Sequence, residues 1–423
     1  MAFVYCWYGN PEHDGEYKHW NHEVLPHWQE HVSRQYPQIG RRFQPPQQLH
    51  SPYYPLRGPY SSADPEVLED QFREMKRTGI GVAAVSWWGP VWRNGTHDTQ
   101  GVSTDERLPT LLAAAERAGM AIAFHLEPYP GRTAATVRED LQYLMRRPEV
   151  AASPAVLRLG PQRRPLYFVY DSYHISPADW AALLTPGGEG SMRGSDGDGV
   201  FIGLWLNAGD GDAQLLPGGF DGFYTYFASE AVSFGADPAN WPELAAWAWR
   251  HGRLFIPSVG PGYDDSRIRP WNAAATRPRQ GGARYRHWWE AALAVQPAAV
   301  SITSYNEWGE GTQIEPAKVF PAGGGSSIGS RDADAGDGSS SSGSTGADGS
   351  SGNTGADDGS SRPGSSSVDG SQEQYQSYGE QPGRDEWLYL NITAEYARQL
   401  EQQQQQQQQQ GERADAGRPH IEL

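Results

Sequence analysis

The sequence predicts a single closed (β/α)8 barrel of the α/β class, with eight parallel strands and helices packed around them. Eight short apolar runs rich in β-branched and aromatic residues recur along the chain, and stretches with helical periodicity separate most of them. The rival arrangement is a doubly wound open sheet. It is disfavoured because no Gly-x-Gly-x-x-Gly follows the first run and no phosphate-loop pattern occurs anywhere.

The strand runs are residues 3–8, 81–88, 121–127, 166–171, 199–206, 222–227, 254–259 and 299–305. They are continuously apolar more than alternating, as strands covered on both faces are. The first helix opens with Asp64 as N-cap and Pro65 in its first turn. Leu68, Phe72 and Met75 then form one apolar stripe that ends before Gly79. Further helical stretches are expected at 108–118, 134–146, 176–184, 240–250, 284–295 and 387–400.

Length and composition decide how many domains this makes. The 423 residues include 50 Gly, 16 Trp and 21 Tyr. A glycine surplus points to unstructured chain and an aromatic surplus to a packed core, so the two must occupy different segments. Residues 321–385 hold 16 Gly and 17 Ser, with no aromatic before Tyr375. Such chain buries too little to offset its ordering entropy, and is expected to be a disordered insertion between the last strand and the last helix. The reading is therefore one catalytic barrel, 1–320, completed by a last helix at 386–400. Residues 401–423, with nine glutamines at 402–410, are expected to be a polar tail.

The net charge, 34 − 51 = −17, argues against a nucleic-acid or anionic-membrane partner, although residues 321–385 carry −7 of it. Cys6 is the single cysteine, which excludes intrachain disulfides and thiolate metal clusters. No apolar run is long enough to span a membrane, and Met1 leads almost at once into the first strand instead of a signal peptide. A soluble chain is expected, with any targeting segment lying upstream of this sequence.

In such barrels the chemistry sits at the C-terminal strand ends. There the sequence places Trp7, Trp87, Trp88, His125, Glu127, Tyr129, Asp171, Tyr173, Tyr224, Tyr226, Tyr263, Asn306, Glu307 and Glu310. Carboxylates ringed by aromatics suit a sugar, whose C–H faces stack on rings while its hydroxyls need polar partners. Glu307 and Glu310 are the candidate catalytic pair. Three residues apart after an apolar strand, with Gly309 and Gly311 letting the loop fold back, they can approach to about 5 Å, the separation of retaining glycosidases. Two like charges so close push one pKa upward, which separates acid from base. A solvated Glu-x-x-Glu loop, with Glu315 a third surface acid, is the plain alternative. His125 and Glu127 read equally as cleft residues or a structural ion pair, and Asp171 as a cleft or a turn acid. Twelve histidines include no His-Glu-x-x-His, so no metal is expected.

Several long blocks resemble glycoside hydrolase family 99, the endo-α-1,2-mannosidases. They include Trp7-Tyr-Gly-Asn-Pro, His19-Trp-Asn-His-Glu-Val-Leu-Pro-His-Trp, Ser86-Trp-Trp-Gly-Pro, Phe124-His-Leu-Glu-Pro-Tyr and Tyr170-Asp-Ser-Tyr. Gly222-Phe-Tyr-Thr-Tyr-Phe, Ile268-Arg-Pro-Trp-Asn and Asn306-Glu-Trp-Gly-Glu-Gly-Thr-Gln-Ile-Glu continue the likeness. The resemblance implies a retaining (β/α)8 enzyme without cofactor or metal that cleaves internal α-1,2-mannosidic bonds of glucosylated high-mannose N-glycans. It implies that Glu307 acts as base on the substrate's own 2-hydroxyl, giving a 1,2-anhydro sugar, and that Glu310 is the acid. It further implies that Tyr54, Glu127, His125 and one of Tyr224 and Tyr226 stand near the reacting sugar and that Trp88 lines the adjoining subsite; Asp171, Tyr263, Arg269, Trp271 and Asn306 complete the candidate substrate contacts. Trp88 departs from the animal members, which tend to carry Tyr there while bacterial mannan-degrading members carry Trp. A mannan polysaccharide therefore stays open as substrate, as does a non-catalytic carbohydrate-binding barrel. Golgi residence, an N-glycan or glycoprotein partner and a monomeric state complete what is expected.

Overall fold

The computed structural model of the chain describes residues 1–319, 375–381 and 384–413. The strands are β1 (Ala2–Val4), β2 (Val82–Trp87), β3 (Ala121–Leu126), β4 (Arg164–Val169), β5 (Val200–Leu204) and β6 (Gly222–Tyr224). β7 comes in two pieces, Leu254–Ile256 and Ser258–Val259, and β8 is Ser301–Ile302. Each strand pairs in parallel with the next, and β8 returns to β1 through Ala2 and Ile302. The ring closes inside β7. Its first piece bonds to β6 and its second to β8, with Pro257 between them. Proline has no N–H to give, but its carbonyl accepts from Ser301 N–H at 3.0 Å, so the chain crosses from one neighbour to the other at that residue. The fold is the expected (β/α)8 barrel.

The helices α1 (Pro65–Arg77), α2 (Thr104–Ala118), α3 (Ala134–Arg146), α4 (Pro177–Leu184), α5 (Trp241–His251), α6 (Ala283–Ala294) and α7 (Leu388–Arg413) surround it. Local chemistry sets their starts. The Asp64 side chain accepts from Glu66 N–H, Thr133 and Thr136 form a reciprocal capping box, and Ser176 caps Asp179 N–H. α2 begins four residues before the expected Leu108, with Pro109 inside it. Proline deprives the Asp105 carbonyl of its helical donor, and Arg147 Nη1 supplies one instead at 3.0 Å. Between β5 and β6 a five-residue π turn, Gly211–Leu215, stands where an α-helix would.

Two boundaries differ from expectation. The expected disordered segment reached residue 385; its residues 321–374 lie outside the described residues, but 375–381 belong to the folded body. Tyr375 and Tyr378 are buried there, and Tyr378 Oη donates to the Glu315 carbonyl at 2.5 Å. The polar tail was expected from residue 401, yet α7 continues to Arg413 through the glutamine tract. Glutamine is a good helix former, and α7 is already anchored by buried Tyr389, Leu390, Ile392 and Tyr396. Within the tract Gln403 donates to the Leu293 carbonyl at 3.2 Å and Gln404 to the Ala298 carbonyl at 2.7 Å, both below the barrel strands.

Arg279 joins the returning chain to the loop after β8. Its buried guanidinium lies 4.4–4.7 Å from the rings of Tyr53, Tyr378 and Tyr389, and its Nη2 donates to the Gly311 and Gln313 carbonyls. Desolvated cation–π contacts and charged hydrogen bonds together make this worth about 3 kcal/mol. Arg279→Met is expected to lose about that much in urea unfolding of the full chain; a change below about 1 kcal/mol contradicts the assignment.

Candidate active site

After Tyr305 the chain folds back on itself, with Ser304 N–H to the Thr312 carbonyl and Ile314 N–H to the Ser304 carbonyl. Asn306 braces this loop against β1. Its Oδ1 accepts from Tyr5 N–H at 2.7 Å, and its Nδ2 donates to the Tyr5 carbonyl at 2.8 Å and to Tyr60 Oη. The next side chain, Glu307, is buried. Its Oε1 accepts from Gly309 N–H at 3.0 Å, and no described residue donates to its Oε2. Gly311 then turns the loop at φ +61°, where a Cβ would lie 2.9 Å from the Asp264 carbonyl. That turn directs the Glu310 backbone to Asp264, whose N–H donates to the Glu310 carbonyl at 2.8 Å.

Glu310 is a quarter exposed, and Arg269 Nη1 stands 3.6 Å from its Oε1. Arg269 is itself fixed by Asp265, a wholly buried carboxylate that also accepts from Tyr263 Oη at 2.9 Å and from Asn272 Nδ2. Burial raises the Glu310 carboxyl to about 7; Arg269 opposes the rise, and Asp265 and Glu127 add to it. Glu307 is also raised well above the usual carboxylate range, by burial first and by Glu310 second. The two acids thus keep a proton between them toward neutral pH, and titrate as a pair.

Across the barrel mouth, Glu127 Oε1 accepts from Ser86 Oγ at 2.8 Å and lies 3.1 Å from His125 Nδ1. His125 Nε2 meets Tyr224 Oη at 2.9 Å, and its ring stacks on Tyr226 at 5.5 Å. The Tyr226 hydroxyl bonds to that of Tyr5. Tyr226 adopts φ +52°, a costly conformation for a bulky residue that the surrounding packing imposes. Tyr5, Tyr170, Tyr226 and Tyr263 all have phenols raised well above their ordinary range, by burial and by carboxylates that include Glu310 in every case. These four phenols therefore lie within electrostatic reach of Glu310, and Tyr5 within reach of Glu307 as well.

The structure brings together Glu307, Glu310, Glu127, His125, Tyr224, Tyr226, Tyr263 and Arg269. Tyr224 is held on the Glu127 side by His125, while Tyr226, its ring stacked on the same imidazole, feels the charges of both Glu310 and Glu127. Asp171 is buried farther along the Glu127 side, its carbonyl bound by Arg132 Nη2 at 2.7 Å. Trp88 and Trp271 are half-buried; Trp88 N–H is held by Thr104 Oγ1. Tyr54 is not brought to the acids. It sits in a short ribbon with Ala317–Lys318, its ring on Tyr375 and beneath Lys318. Asn306 faces the β1 backbone, as described. Glu315 is no surface acid: it is buried and accepts from Tyr60, Gln71 and Trp308. Sequence reasoning passed over Tyr5, Tyr170 and Asp265. Tyr5 had a signal, since it alternates with Phe3 and Trp7 and so shares their inward face. Asp265 had only its place four residues before Arg269. Among the described residues no three His, Cys, Asp or Glu side chains are arranged to hold a metal ion.

Residues 1–322 match the family model described as glycosyl hydrolase family 99. A rat protein named glycoprotein endo-alpha-1,2-mannosidase is 43% identical over 319 residues, 75% of this chain and 67% of the rat protein. A human glycoprotein endo-alpha-1,2-mannosidase-like protein is 44% identical over 320 residues, 75% of this chain and 68% of its own. Among solved structures, the GH99 endo-alpha-mannosidase from Bacteroides thetaiotaomicron superposes with a TM-score of 0.74 at 34% identity, covering 95% of this chain and 97% of that one.

Proposed function

The chain belongs to glycosyl hydrolase family 99 and is a glycosidase, and from that premise we propose that it is a retaining endo-α-1,2-mannosidase acting on glucosylated high-mannose N-glycans. The observation that carries this reading is the asymmetry of the acid pair. Glu307 has one oxygen held by a backbone N–H and the other without a protein donor, whereas Glu310 is paired with a guanidinium.

A mannoside 2-hydroxyl placed at Glu307 Oε2 donates to it and favours its ionised form, which moves the shared proton to Glu310. Glu307 then takes the O2 proton as O2 bonds to the anomeric carbon. That carbon's bond to the glycosidic oxygen breaks, and the oxygen leaves with the proton of Glu310. The axial O2 of an α-mannoside is anti to the departing oxygen, so the displacement is in line and gives a 1,2-anhydro sugar. In the second half Glu310 takes a proton from water, the water oxygen bonds to the anomeric carbon, the C1–O2 bond opens, and Glu307 returns the proton to O2. Two inversions give retention. Glu127, held through Oε1, keeps Oε2 for a sugar hydroxyl. The enzyme works as a monomer without metal or cofactor in the secretory pathway, in keeping with exposed Asn94 at the head of an Asn-Gly-Thr acceptor triplet.

Trp88 favours a second reading, a mannan polysaccharide as substrate, because an indole there matches mannan-degrading relatives. Incubation with glucosylated and non-glucosylated high-mannose glycans, with NMR of the freshly released reducing end, separates the readings. A glucosyl-mannose product in the α configuration is expected. Release of single mannoses, or a β product, overturns the proposal.

A further inference from the structure

Six large apolar side chains are exposed among the described residues, and one of them, Trp28, packs against Trp271, two residues along the chain from Arg269, the partner of Glu310. Trp28 is 60% exposed yet held in place. The His27 imidazole lies over it at 3.6 Å and 30°, and Trp271 packs perpendicular to it at 5.4 Å and 83°. His27 also abuts Trp271 edge to face at 4.8 Å. The loop carrying Trp28 is stapled to the segment carrying Trp271. Leu25 N–H donates to the Ile268 carbonyl at 2.7 Å, and Trp271 Nε1 donates to the Leu25 carbonyl at 3.2 Å. Between those two anchors lies Arg269, the partner of Glu310.

An exposed indole is ordinarily mobile and avoided. One fixed by two rings and still 60% exposed is a preorganised surface for an apolar plane. The chemistry of the site identifies that plane. Glu310 has to stand beside the scissile oxygen, and its partner Arg269 belongs to the segment that carries Trp271 and holds the Trp28 loop, which puts that segment on the leaving-group side of the acid pair. His125 and Glu127 stand at the end of β3, across the ring from β7, whose C-terminal end leads to Arg269. Resting on the glycosidase reading above, we propose that His27, Trp28 and Trp271 form a carbohydrate-stacking platform for the leaving chain, engaging a sugar beyond the one attached to the scissile oxygen.

The test compares wild type, Trp28→Ala and Trp28→Phe on two substrates. One is a high-mannose glycan; the other is a glucosyl-α-1,3-mannoside with an aryl leaving group, which offers no sugar to the platform. Trp28→Ala is expected to lower kcat/KM about tenfold on the glycan, mainly through KM, and to leave the aryl substrate unchanged, with Trp28→Phe recovering part of the loss. Equal effects on both substrates, or none on the glycan, overturn the platform while wild-type cleavage upholds the mannosidase reading. If wild type cleaves neither substrate, that reading fails and the platform falls with it.

Discussion

Glu307→Gln is expected to lower kcat/KM by about 10³–10⁴-fold on every substrate, whatever its leaving group. The amide is isosteric but cannot take the proton from O2, and without that transfer the anomeric carbon has no internal nucleophile. Improving the leaving group does not help, because the missing function is at the other end of the displacement. The same variant is expected to be more stable than wild type at alkaline pH. The Glu307 carboxyl is raised in the folded protein, so its stabilising contribution is present at low pH and lost as the pH climbs through the raised value. Glutamine never ionises and escapes that loss. Urea unfolding at pH 4.5 and pH 8.5 checks it: the gain should appear only at pH 8.5. An inactive variant that is less stable at pH 8.5 indicates misfolding, and an active one removes Glu307 from the mechanism.

Glu310→Gln should separate substrates by leaving group. On a glycan, whose departing alkoxide needs a proton, about 10²–10³-fold is lost; on an activated aryl glycoside the first step survives and the loss is much smaller. The pH profile carries the second signature. In wild type the acid must be protonated, and with its carboxyl raised to about 7, glycan hydrolysis should fall as the pH rises through that region. On the aryl substrate the variant should lose that alkaline limb, since nothing there remains to be deprotonated. A limb that persists unchanged assigns the titration to another group, and equal losses on both substrates exclude Glu310 as the acid.

The strands were legible because each is a continuous apolar run between turn residues, and the first helix because Asp64 and Pro65 mark its start ahead of an apolar stripe. What escaped was decided by tertiary contacts. Arg147 extends α2 past Pro109, and the Arg279 guanidinium draws Tyr378 out of a glycine- and serine-rich stretch. In the site, the placement of Glu307 and Glu310 at a strand end was legible from their position after an apolar run. Their surroundings were not, since Asp265 bears on Glu310 both by its own charge and by fixing Arg269, and both effects depend on the packing of two loops against each other. Tyr54 shows the converse: the family resemblance implies a place near the sugar, and the structure pairs it in a ribbon with Ala317–Lys318.

Glutamine tracts lengthen and shorten readily when DNA replication slips on their repeated codons. In α7 the helix register is fixed upstream of the tract by Tyr389 and Tyr396, and the docking side chains are its second and third members, Gln403 and Gln404. A gained or lost codon anywhere in the run still leaves glutamine at both positions, so long as three remain. Alleles of different tract length should therefore present the same two amides to the barrel and differ only in how far the helix extends beyond it, which makes this attachment tolerant of the mutation its own gene segment most invites.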